Sequence, residues 1–434
     1  MPKAKRHDFS GTKKVMPQPE KHPKSPLYHT KSKKSIKNHQ IALVCDWLTT
    51  PGGAEKVLLE LHRMYPDAPI YTSQYRKKGI DWFNDAEVHT GWLNFFPAWL
   101  RRFLGPLRQL YFSHLDLSQY DLVISVTGAE AKSIRTENQQ TGQKAYHLCY
   151  CHVPTQYYWQ MYDHYIKHPG FGILNPLVRL ALKILVKPLR KADFRAAQRP
   201  DQFVTISTYA AEQIKKYYHR EAKVIYPPVD VEKFKTKEKT QRRGFVIACR
   251  QATWKRVDLA ISACIAAKVP LKVIGDGPEH ARLVNQSIKV ARDSAKQNNN
   301  LPLTGGKLTV EVTTVQFIPW LDQAKLAKEL RKAEAFLFPS LEPFGIAAVE
   351  ALAAGCPVIA YADGGSRDIV QPGKNGLLFD EQSTSSLASA LKQFDGQSFS
   401  ERAVQESAQK FATQNFRREI AALIKKALKE RGSH

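Results

Sequence analysis

Between Phe338 and Phe379 the chain reads FPSLEPFGIAAVEALAAGCPVIAYADGGSRDIVQPGKNGLLF. Two carboxylates, Glu342 and Glu350, bracket a glycine-containing turn and the start of a helix, which is expected near Phe344. Acid side chains therefore stand beside backbone N–H groups that have no intrahelical acceptor. Such a place suits a phosphorylated, hydroxyl-rich ligand. The helix start takes the anion, and Glu350, one to two turns in, accepts two hydrogen bonds from a ribose diol as acidic residues do in dinucleotide folds. Glu342, on the preceding loop, faces the sugar.

Similar turns recur. Arg250 ends the apolar run GFVIACR, and Lys255 follows five residues on with Arg256 beside it. Two cations at the mouth of a strand neutralise a diphosphate and stabilise it as a leaving group, although a solvated basic run has the same composition. GDGP at 275–278 offers a close backbone approach through Gly275 and Gly277. Nearer the N-terminus, Gly52 and Gly53 separate IALVCDWL from AEKVLLELHRMY, and His152 directly follows the apolar run KAYHLCYC. A lone histidine is more often structural, and a Gly-Gly turn is often only a turn. Their common position after a strand is what makes them candidates.

The elements that must carry these residues alternate between short apolar runs and segments of helical periodicity, the pattern of parallel sheets buried on both faces. In open sheets of this kind the turns after the strands emerge at one edge, where ligands bind. The 434 residues exceed one core's usual size and predict two domains. A net charge of +25 points to an anionic partner: nucleic acid, a membrane face or phosphorylated substrates. No base-stacking or recognition-helix motif supports nucleic acid. The six cysteines, at 45, 149, 151, 249, 264 and 356, lie mostly in apolar runs without C-x-x-C spacing and are expected reduced, as in a cytosolic protein. The absence of Asp-x-Asp leaves no strong metal site. No signal-type segment and no uncharged stretch near the ~20 residues of a bilayer span is present, so a soluble or peripheral protein is expected.

Residues 1–39 read as a disordered basic tail, 229–243 as a linker, 290–307 as a polar surface loop and 398–434 as terminal helices. Two apolar and cationic segments, 92–112 and 172–195, suit an anionic bilayer surface, with a break or kink expected at Pro188. An apolar stripe facing the domain core is the alternative for each.

In order and spacing, GGAEKVL, VIYPPVDVEKF, IACRQATWKRVDLAI, VIGDGPE and the Glu-x7-Glu segment EPFGIAAVE resemble the family 4 glycosyltransferases of the GT-B fold. The resemblance implies an α/β architecture of two Rossmann-like domains with parallel sheets facing a central cleft: an acceptor domain at 40–228 and a nucleotide-sugar domain at 244–397, with the terminal helices packing back toward the first. It implies a retaining transferase in which Glu350 binds the ribose, Glu342 and His152 attend the transferred sugar, and Arg250 and Lys255 hold the diphosphate. Backbone N–H groups of Phe344 and Gly345 would hold sugar hydroxyls, and those of Ile346 and Ala347 the diphosphate. Gly52 and Gly53 would line the phosphate and acceptor side, with Asp46 at the acceptor. No metal cofactor is implied. VCDWLTTPGGAEKVLLELHRMYPDA and CYCHVPTQYYW are similar to bacterial mannosyltransferases of O-antigen and exopolysaccharide assembly, which implies GDP-mannose as donor, a lipid-linked saccharide acceptor and a place on the cytoplasmic membrane face. Gln156 and Asp368 depart from the residues frequent there. A nucleic-acid-binding protein or another GT-B enzyme, such as an epimerase, are the alternatives.

Overall fold

The computed structural model describes residues 39–102, 104–167, 172–235, 241–297 and 315–431. The basic tail and most of the expected loop at 290–307 lie outside them. Among the described residues the strands form two fully parallel sheets, one of seven strands and one of six.

The first sheet runs through β1 (Ile41–Cys45), β2 (Ile70–Thr72), β3 (Val88–Thr90), β4 (Leu122–Thr127), β5 (Tyr146–Cys151), β6 (Gln202–Thr205) and β7 (Ala222–Val224), with spatial order β3-β2-β1-β4-β5-β6-β7. Its helices are α1 (Gly53–Met64), α2 (Gly105–His114), α3 (Tyr162–Lys167), α4 (Asn175–Ala196) and α5 (Thr208–Tyr218). In β1 and β4 every residue is buried, as expected for strands with helices on both faces.

The second sheet has β8 (Phe245–Ala248), β9 (Leu271–Ile274), β10 (Val315–Ile318), β11 (Ala335–Phe338), β12 (Val358–Tyr361) and β13 (Gly376–Phe379), in order β10-β9-β8-β11-β12-β13. Around it lie α6 (Val257–Ala267), α7 (His280–Gln297), α8 (Gln323–Lys332), α9 (Ile346–Ala353), α10 (Ser366–Ile369) and α11 (Thr384–Gln393), followed by α12 (Glu401–Ser407) and α13 (Thr413–Arg431). In both sheets the chain reverses its direction of strand addition beside the first strand. That places a switch point between β1 and β4 and another between β8 and β11, where loops diverge and leave a crevice.

Four sequence expectations change. Residues 290–297, expected as loop, continue α7. The expected linker begins as packed structure, because Val231 and Phe234 are buried and Val229 pairs with Ala412. α4 runs unbroken through Pro188 to Ala196, although proline removes one ladder hydrogen bond. The helix expected near Phe344 starts at Ile346: Phe344 turns down against Tyr226 and Phe411, leaving Gly345 as the N-cap.

Contacts between the two halves are specific. Asp368 accepts from the Thr208 N–H and Oγ1, both at 2.7 Å, so it caps the start of α5 across the domain boundary. Arg367 pairs with Glu212 at 2.6 Å. From α13, Phe416 packs edge-on against Tyr150, and Arg417 bonds Glu60 of α1.

Candidate active site

β11 delivers the chain to Ser340 and Glu342. The loop that follows is pinned from beneath, since Gly365 N–H donates to the Glu342 carbonyl at 2.7 Å. Gly364 has φ +83°, and a Cβ there would come within 2.6 Å of that same carbonyl, so only glycine fits. The Glu342 carboxylate accepts from Ser340 Oγ at 2.5 Å and from Lys255 Nζ at 2.5 Å. Burial disfavours the charged Lys255, and Glu342 more than offsets that, raising the lysine pKa above its usual value. The two residues assigned separately to sugar and diphosphate are therefore paired with each other.

Arg250 follows β8 with its side chain exposed. Ile346 and Ala347 occupy the first positions of α9, and their N–H groups point out of the helix start toward the cleft. Glu350, one turn further on, is 8 % exposed and meets Lys56 Nζ of α1 at 3.4 Å. At the same crossing, a Cβ on Gly53 would lie 3.2 Å from Ile346 Cδ1. The starts of α1 and α9 thus face each other, bringing Gly53 beside the N-terminus of α9.

Gly275 and Gly277 play a different part from the expected ligand approach. A Cβ on Gly275 would strike the Cys249 carbonyl, and one on Gly277 the Gln251 backbone. What these glycines admit is the neighbouring loop of the protein itself, which they hold beside Arg250.

On the opposite wall Asp46 leaves β1 at the switch point. Its Oδ1 accepts from Thr127 Oγ1 (2.9 Å) and Ala131 N–H (2.8 Å), and its Oδ2 from Thr127 Oγ1 (3.0 Å) and Gly128 N–H (3.0 Å). With both oxygens engaged, Asp46 ties the end of β4 to the end of β1, and it also lines the cavity beside them. His152 follows β5, with its N–H on the Thr127 carbonyl at 2.8 Å and its ring edge-on to Tyr150. Burial lowers its pKa to about 4, so the ring is neutral near pH 7. Its Nε2 is buried and has no partner among the described residues.

A cavity of about 370 Å³ opens here, lined among others by Trp47, Glu55, His152, Gln156, Tyr157 and Tyr165. Behind it are two buried ion pairs, Arg108–Glu130 (2.8 Å) and Lys132–Asp193 (2.6 Å). Asp193 also takes the Trp159 Nε1–H (2.7 Å) and the Thr155 hydroxyl (2.8 Å), which fixes the loop after His152. Glu55, Lys56 and Trp47 are functional candidates that sequence reasoning missed. Their signal was adjacency to Gly52 and Gly53, read there as ordinary helix and strand composition.

Two parallel-sheet halves, with Glu342 and Glu350 on one wall and a neutral histidine on the other, give the chain a GT-B architecture. Residues 308–411 match the family model described as glycosyl transferases group 1. The chain is 24 % identical over 367 residues to the alpha-1,3/1,6-mannosyltransferase alg2 of Schizosaccharomyces pombe, covering 75 % of this chain and 68 % of that protein. It is 26 % identical over 221 residues to the D-inositol 3-phosphate glycosyltransferase of Nocardioides sp., 46 % of either chain, so the match spans about half of that relative. In fold it is similar to Anabaena HepE, whose crystal structure is a complex with UDP: TM-score 0.61 at 18 % identity, over 89 % of this chain and 99 % of that one.

Proposed function

We propose that the protein is a retaining glycosyltransferase that moves a hexose, mannose from GDP-mannose, onto a lipid-linked or membrane-associated saccharide. The carrying observation is the juxtaposition of Glu342, Lys255 and Glu350 around the start of α9, facing Gly53 and Lys56 across the cleft. In this reading the diphosphate lies on the Ile346 and Ala347 N–H groups, and the hydroxyls of the transferred sugar reach the N–H groups of Phe344 and Gly345. Arg250 and Lys255 neutralise the departing charge, with Lys255 exchanging part of its bond to Glu342 for phosphate oxygens. The bond from the sugar's anomeric carbon to the phosphate oxygen breaks. The acceptor oxygen bonds that carbon from the same face, and its proton passes to the departing phosphate. No metal is needed for this charge balance, so transfer is expected to persist in EDTA.

A lipid-linked acceptor is supported by exposed apolar and cationic side chains of the first domain. α4 buries Val186, Asp193 and Ala196 but leaves Leu177, Leu180 and Ile184 more than half exposed, interleaved with Arg179, Lys183 and Lys187. α2 packs against α4. Beside α2, Phe95 and Trp99 are 90 % and 71 % exposed. Apolar side chains rimmed by cations suit the interface of an anionic bilayer, and among the described residues no helix is long and apolar enough to cross one. Binding and turnover of a panel of labelled nucleotide sugars test the reading. Neither binding, hydrolysis nor transfer with any of them would end it.

A further inference from the structure

The cavity in the first domain contains a carboxyl group that the scaffold does not use. Asp46 has both oxygens engaged, and Glu130 is taken by Arg108 and Tyr157. Glu55 lines the same cavity. Among the described residues no other side chain hydrogen-bonds its carboxylate. The carboxylate lies beside Gly52, where an added Cβ would be 2.6 Å from Glu55 Oε2. The adjacent Gly53 meets Ile346, at the diphosphate end of α9.

Glu55 therefore stands between the acceptor-side cavity and the place where a leaving diphosphate would lie. The cavity has the composition of a saccharide subsite: Trp47, Tyr157 and Tyr165 contribute aromatic rings, Gln156 an amide, and His152 a neutral nitrogen without a partner among the described residues. From this placement we propose that Glu55 is the acceptor-specificity residue, accepting a hydrogen bond from the acceptor saccharide's attacking hydroxyl and holding that oxygen toward the anomeric carbon. This rests on the glycosyl-transfer reading above. The proton still leaves with the departing phosphate, so Glu55 orients the nucleophile and is not consumed.

Burial pushes the Glu55 carboxyl up to about 7, against the pull of its own N–H and of Arg101, while Asp46 adds to the rise. The other groups facing the cavity are Cys45, whose thiol burial keeps protonated, neutral His152, Tyr157 and Tyr165. Acceptor binding through an ionised Glu55 strengthens as pH rises through about 7 and weakens as it falls.

At the third position of α1, Glu55 could equally serve as a helix cap. The experiment separates the two roles with Glu55→Gln, which keeps length and hydrogen bonding, and Glu55→Ala. Full-length proteins are assayed with the nucleotide sugar that the wild type turns over, using octyl α-mannoside as acceptor and water as the competing one. In Glu55→Gln the acceptor KM is expected to rise at least about tenfold and to lose its pH dependence near neutrality, with donor binding affinity and melting temperature unchanged. Unchanged acceptor KM and pH profile, or a loss of stability alone, overturns the assignment and leaves the transferase reading standing. A wild type that neither hydrolyses nor transfers any nucleotide sugar overturns both.

Discussion

The two walls of the cleft handle charge in opposite ways. On the C-terminal wall the charged groups are held loosely: Arg250 is exposed, Lys255 and Glu342 hold each other, and Glu350 has Lys56 at 3.4 Å. On the N-terminal wall they are locked, with Asp46, Arg108–Glu130 and Lys132–Asp193 in dry networks that leave Glu55 and His152 facing the cavity. Charges whose partners a ligand can replace belong to chemistry, whereas charges with saturated partners shape the pocket.

Mutation can break this contrast. Glu342→Ala should lower transfer by on the order of 100-fold or more while nucleotide affinity is largely kept, because the group lost faces the sugar. Full activity in that variant, measured by product formation, would remove the role given to it. Asp46→Ala should act the other way. Losing an acceptor for three donors costs roughly 2–4 kcal/mol of stability, read from urea unfolding, and any fall in activity should track unfolding.

Acid should also separate the walls. Burial depresses His147 to about 3 and His152 to about 4. Unfolded histidines take protons below about 6.5, so their stabilising contribution is complete above that pH and is lost as pH falls toward the folded values. Tryptophan fluorescence, dominated by Trp47, Trp82, Trp92, Trp99 and Trp159 of the first domain, should report acid unfolding in that window, and His152→Asn should make it shallower. The smallest effect belongs to Lys56→Met. The Lys56–Glu350 contact is partly exposed and worth at most about 1 kcal/mol, so its loss should tighten nucleotide binding by no more than about fivefold in calorimetry.

Much of this fold is written in local pattern. Runs such as LVISVT and YHLCYC have no reading but buried strand, and the turns after them collect at one edge by the geometry of parallel sheets. The edge strand β3, VHT, escaped because it is short and mostly exposed. β13 escaped because it opens with Gly376, tolerated where the Val358 backbone approaches closely. At the site, residue type and spacing exposed Glu342, Glu350, Arg250 and Lys255. The Lys255–Glu342 pair, the saturation of Asp46 and the unused carboxylate of Glu55 depend on contacts between segments up to 87 residues apart, which no local pattern encodes. Gly275 and Gly277 mark the converse limit: a glycine announces a close approach without saying what approaches.

The central claim is that the C-terminal edge holds the nucleotide sugar through Glu350 and the start of α9. Calorimetric titration of GDP-mannose and UDP-glucose into wild type and Glu350→Ala tests it most directly. The account predicts binding of at least one donor by the wild type, weakened about 10- to 100-fold in the variant by loss of the diol acceptor. Equal affinity in the two proteins would contradict it.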